Sequence, residues 1–89
     1  MSITKNLTIK SSVGLHARPA SMFVILAHKF DSEIFVIKDG EEVNGKSIMG
    51  LMMLAAGPGT SLTICAEGDD AKQALNELEQ LVNRNFEEE

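Results

Sequence analysis

The sequence predicts an α+β fold: a four-stranded, mostly antiparallel sheet with three helices on one face, in the order β-α-β-β-α-β-α. Three observations predict it. Strand-like segments each carry a single apolar face, so one side of the sheet needs a cover. Helical patterns interrupt those strands, as expected where helices pack on one sheet. Turn signals fall between the periodic segments, at Asp39-Gly40, Asn44-Gly45, Gly57-Pro58-Gly59 and Gly68-Asp69-Asp70.

The elements follow in order. Ile3, Leu7 and Ile9 among Thr and Lys suggest the first strand, which Ser11, Ser12 and Gly14 break. Pro19 fits the first turn of a helix, where a missing N–H costs little. The stretch Ala20 to Lys29 continues as a helix with Ala20, Phe23, Val24 and Ala27 on one face. Glu33 to Lys38 is rich in β-branched residues and reads as a strand. Asp39-Gly40 turns it into a return strand over Glu41 to Asn44. Ser47 is placed to cap a short helix over Ile48 to Ala55. In the strand Thr60 to Glu67, Leu62, Ile64 and Ala66 share one face and Thr63 and Cys65 the other. The last helix is the clearest element: Ala71, Ala74, Leu75, Leu78, Leu81 and Val82 keep helical spacing, with polar residues between them.

Composition narrows the function. The 89 residues suit one small domain, 1–89, and a 44% hydrophobic content suits a folded core. With no Trp or Tyr and four Phe, that core must be mainly aliphatic. A formal net charge of -5 argues against nucleic acid and anionic membranes, which call for clustered Lys and Arg. Cys65 is the only cysteine, so no disulfide forms within the chain, which fits a reducing cytoplasm. Met1-Ser2-Ile3-Thr4-Lys5 lacks a signal peptide's apolar core. The apolar stretches are shorter than the ~20 residues of a membrane span. The expectation is a soluble, cytoplasmic monomer.

The chemistry concentrates in Gly14-Leu15-His16-Ala17-Arg18-Pro19-Ala20. His16 stands where a loop becomes a helix, and the first N–H groups of a helix lack internal partners and favour negative charge. An imidazole there is a nucleophile beside a place for a phosphate. Arg18 can pair with phosphate oxygens through its planar fork. The plain alternative is a surface His and a solvated Arg, since helix-terminus anion sites are common.

This segment resembles the active-site signature of the HPr family, histidine-containing phosphocarriers of the phosphoenolpyruvate-dependent sugar phosphotransferase system. Asn44-Gly45-Lys46-Ser47-Ile48-Met49-Gly50-Leu51-Met52 resembles that family's regulatory serine segment. The element order is similar to its open-faced β-sandwich, and the resemblance covers essentially the whole chain. It implies that His16 accepts a phosphoryl group on Nδ1 from phosphorylated enzyme I. Arg18 would neutralise that group, and the backbone N–H groups of Ala17 and Arg18 would help hold it. Delivery would be to a sugar-specific enzyme IIA or to one of a nitrogen-related regulatory branch. The resemblance implies no metal and no bound cofactor, and no independent catalyst.

Ser47 has two readings. One is an N-cap, the usual reason for a Ser at a helix start. The other, implied by the resemblance, is phosphorylation by an HPr kinase/phosphorylase, which would add charge beside the docking surface. At ~100° per residue, Ile48, Leu51, Met52 and Ala55 share a face of the short helix and Met49 and Met53 point aside. Exposed Met makes an adaptable docking surface, and similar proteins place the partner border at Ile48 and Met49. Met53 joins them here as a docking candidate. His28 suits a helix C-terminus and lies about 18 Å along the helix from His16, too far for a shared metal. Cys65 reads as a passive small side chain, and Glu87-Glu88-Glu89 as a solvated tail.

Two other readings stay open. The Phe86-Glu87-Glu88-Glu89 end resembles the nitrogen-related branch, whereas Lys46-Ser47-Ile48-Met49-Gly50 favours the regulated carrier. A docking-only regulator is a different class; some HPr-like regulators lack the active histidine, and this chain keeps His16, Arg18 and Pro19. An acylphosphatase-like hydrolase would need an Asn and Arg cradle that the sequence does not contain.

Overall fold

The structure, a computed structural model, describes residues 2–10, 17–54 and 56–87. Among them the order is β1 (Ser2–Thr8), α1 (Ala17–Ala27), β2 (Glu33–Lys38), β3 (Glu41–Asn44), α2 (Ile48–Met53), β4 (Ser61–Glu67) and α3 (Ala71–Asn83). The strands form one four-stranded sheet in the order β1-β4-β2-β3. All three neighbouring pairs are antiparallel, so the sheet is wholly rather than mostly antiparallel among the described residues. The helices cover one face and leave the other open.

Side-chain alternation explains the layering. Leu62, Ile64 and Ala66 of β4 are buried, with Leu7 of β1 and Ile34 and Val36 of β2 beside them. Their antiparallel partners, Leu7↔Leu62, Ile34↔Ala66 and Val36↔Ile64, bring these residues onto one face. Ala20, Phe23, Val24 and Ala27 of α1 are buried, as are Ala71, Ala74, Leu75, Leu78, Leu81 and Val82 of α3. The predicted inner faces of β4, α1 and α3 are thus the buried ones. Cys65 lies half-buried on the other face of the sheet, with its Sγ 3.6 Å from the Ser2 hydroxyl.

The turns behave as their residues require. Asp39 and Gly40 both have positive φ, 51° and 83°, the backbone of a tight two-residue hairpin. Ile9 lies beyond β1 yet is fully buried, because its N–H donates to Thr60 O at 2.8 Å and its carbonyl accepts from Gly59 N at 2.7 Å. β4 starts at Ser61 rather than Thr60, and the ends of α1 and α2 also move. α1 ends at Ala27 rather than Lys29, because Lys29 N and Phe30 N donate to carbonyls three residues back, tightening the last turn. α2 ends at Met53, with Leu54 as its C-cap, and Ala55 lies outside the described residues.

The C-terminus departs from a simple acidic tail. Phe86 is buried against the core, and its N–H donates to Leu81 O at 3.0 Å. Asn85 and Phe86 both take left-handed φ values, 58° and 59°, to turn the chain back after α3. Glu87 is exposed, and Glu88 and Glu89 lie outside the described residues.

Candidate functional site

The described part of α1 begins at Ala17, the residue that follows His16 in the sequence. His16 and Gly14 lie outside the described residues. Ala17 and Arg18 are exposed in the first turn, and Pro19 and Ala20 are buried beneath them. Pro19 needs no N–H partner there, and its ring helps anchor the helix start to the core. This stretch therefore presents Ala17 and Arg18 outward while Pro19 and Ala20 face in.

The second motif starts α2. Ser47 is extended, with φ -118° and ψ 116°, and its Oγ accepts from Gly50 N at 3.0 Å. That is the N-cap predicted from sequence. The approach is held by Gly45 N donating to Ile34 O at 2.7 Å and Lys46 N donating to Asn44 Oδ1 at 2.8 Å. A second tie links the two motif-bearing helices. His28 Nε2 lies 3.2 Å from Lys46 O, and Lys46 Nζ donates to Phe30 O at 2.8 Å. The end of α1 is thereby fastened to the residue preceding Ser47. Sequence reading placed His28 near a helix C-terminus and missed this partner, because the contact spans 18 residues of chain.

α2 buries only Leu51 within its range, and Leu54 follows as a second anchor. Met49 is 74% exposed and Met53 69%, as their angular positions predicted. Ile48 at 41% and Met52 at 44% are also open. The sequence pattern places Met52 on the inner face with Leu51; a helix of six residues is too short to bury a wide stripe, and Leu51 with the following Leu54 anchors it. Ile25 of α1 adds a further open apolar side chain at 64%. Its place off the face of Ala20, Phe23, Val24 and Ala27 is the signal that could have found it.

The loop after α1 is held by a charge. The Asp70 carboxylate accepts from Asp31 N at 2.9 Å, from Ser32 N at 3.0 Å and from Ser32 Oγ. These bonds, the Ser32 hydroxyl foremost and Asp31 N next, hold the Asp70 carboxyl below the ordinary aspartate value. Among the described residues, no group of three or more His, Cys, Asp or Glu side chains is arranged to hold a metal ion. No described helix is long and apolar enough to cross a membrane.

Comparison with known proteins agrees with this geometry. The family described as "PTS HPr component phosphorylation site" matches residues 3–84. The chain is 50% identical over 76 residues to the HPr-like protein Crh of Halalkalibacterium halodurans, covering 85% of this chain and 90% of that one. It is 44% identical over 87 residues to the phosphocarrier protein HPr of Treponema pallidum, covering 98% and 99%. A crystal structure of HPr-C-His from Thermoanaerobacter tengcongensis superposes with a TM-score of 0.93 at 46% identity, covering 98% of each chain. With an open antiparallel sheet under three helices and a family match across nearly its whole length, the chain belongs to the HPr phosphocarrier family of the phosphotransferase system.

Proposed function

We propose that the chain is a phosphoryl carrier that loads on His16 from phosphorylated enzyme I and unloads onto an enzyme IIA. The observation that carries this reading is the family match over residues 3–84, which takes in His16, Arg18 and Ser47. A neutral imidazole supplies the lone pair. As the P–N bond to His16 Nδ1 forms, the bond from phosphorus to the donor breaks, and the phosphoryl group is transferred intact. The N–H groups of Ala17 and Arg18 and the Arg18 guanidinium stabilise its oxygens. The reverse sequence hands the group to the acceptor.

In the same reading, Ile48, Met49 and Met53 form the docking surface, and exposed Met52 extends it. Ser47 is the regulatory site for an HPr kinase/phosphorylase. A phosphate on its hydroxyl would bring two negative charges beside these apolar side chains and weaken docking of acidic partners. The chain works as a monomeric, single-domain protein in the cytoplasm, without metal or cofactor.

A second reading is a docking regulator without phosphoryl transfer, favoured by the 50% identity to an HPr-like protein Crh. Retention of His16 and Arg18 supports the carrier. The test is phosphorylation by enzyme I and phosphoenolpyruvate, read by intact mass on wild type and His16→Ala. The expected result is one acid-labile phosphoryl group on wild type and none on the variant. No modification by an enzyme I active on another carrier would establish the docking regulator instead. Neighbouring genes, sugar permease components or only a regulatory enzyme IIA, separate the sugar branch from the nitrogen-related one.

A further inference from the structure

The helical layer has a concave feature to which α2 contributes no residue. Between α1 and α3 lies an open groove of about 260 Å³, lined by Met22, Ile25, Leu26, Lys29, Leu81 and Arg84. Its floor is apolar: Leu81 is buried, Met22 and Leu26 are half-buried, and Ile25 stands open at the rim. Among the described residues its charged lining is basic, Lys29 and Arg84, although the chain has 13 acidic residues against 8 basic. Neither Lys29 nor Arg84 forms a salt bridge among the described residues; Arg84 Nε donates to Glu87 O at 2.8 Å.

A plain explanation covers part of this. Lys29 follows the end of α1 and Arg84 the end of α3, where cations suit the helix dipoles. That accounts for each charge but not for the apolar side chains left open between them. We propose that this groove docks an acidic amphipathic helix of a partner protein. Its apolar residues would seat between α1 and α3, and its carboxylates would reach Lys29 and Arg84. A groove between two helices suits a helix read through anchors at i, i+3, i+4 and i+7. A net charge of -5 repels an extended anionic surface, while two local cations can still match two carboxylates. Because none of Ile48, Met49 or Met53 lines the groove, this proposal stands or falls separately from the carrier reading.

An amide NMR titration of the full chain tests it. The probes are a synthetic helix with Leu at i, i+3, i+4 and i+7 and Glu on the flanks, and the same peptide with Lys replacing Glu. The expected shifts from the acidic peptide centre on Met22, Ile25, Leu26, Leu81 and Arg84. The double variant Lys29→Glu, Arg84→Glu should weaken that peptide at least about tenfold and strengthen the Lys peptide. Those cations also sit at helix ends, so Ile25→Ser is the second variant; it should weaken both peptides with an unchanged thermal midpoint. Shifts centred on Met49 and Met53, equal binding of the two peptides by wild type, or no binding would overturn the proposal. So would binding of phosphatidylglycerol vesicles at the groove without binding of the acidic peptide.

Discussion

Ser47 shows how much one side chain sets at the start of a short helix. Its Oγ accepts from Gly50 N at 3.0 Å, its carbonyl accepts from Leu51 N at 3.1 Å, and its own N–H donates to Asn44 O at 3.1 Å. Ser47→Ala keeps the backbone bonds and leaves Gly50 N without its cap. The expected loss is about 1 kcal/mol, seen as a lower urea midpoint with an unchanged m-value. An unchanged midpoint would mean that water replaces the hydroxyl at no cost. The cap was legible in the sequence because Ser preceded an apolar run after Asn-Gly. His28 was not, because its partner, the Lys46 carbonyl, has no side-chain signature.

Among the elements, the junction of α3 with the loop after α1 carries a defined pH dependence. Asp70 precedes α3 but makes no side-chain bond to its own helix; its carboxylate holds Asp31 and Ser32 instead. Gly68 makes this approach possible. Its φ is 146°, and a Cβ there would lie 2.5 Å from Ser32 Oγ. Because the folded-state pKa of Asp70 is lowered, the folded protein resists protonation more than the unfolded chain does. The contribution is therefore fully present above the ordinary aspartate value of 3.8 and is lost as pH falls below it, through the depressed folded value. Asp70→Asn should be less stable than wild type near neutral pH. Its stability should also fall less steeply between about pH 5 and 2, in urea unfolding at each pH. Parallel acid limbs for the two proteins would show that other carboxylates carry the effect.

For the whole molecule, stability rests on one core that joins all seven elements. Leu78 is fully buried on α3, the helix that packs against both β1 and β4. Leu78→Ala should cost about 2–5 kcal/mol by removing packed methyl groups and leaving a cavity, measured by equilibrium urea unfolding. An outcome below 1 kcal/mol, on the order of a surface change, would mean that the core collapses around the gap. The same substitution lies far from the exposed Met49 and Met53 in the chain and should leave partner binding intact while the protein is folded. The edge pair shows the complementary arrangement. β1 reaches across the sequence to β4 in register from Ser2↔Glu67 to Thr8↔Ser61, a pairing no local signal announces.

The element order, the inner faces of β4, α1 and α3, the Ser47 cap and the resemblance around His16 and Ser47 were determined by sequence alone. Each depends on residues a few positions apart, where periodicity and turn chemistry act directly. Tertiary structure decided the strand order β1-β4-β2-β3, the Asp70 hold on Ser32, the burial of Phe86 and the exposure of Met52 and Ile25. These depend on which faces meet across long stretches of chain. A sequence states how apolar a residue is, but only packing decides whether another element arrives to cover it.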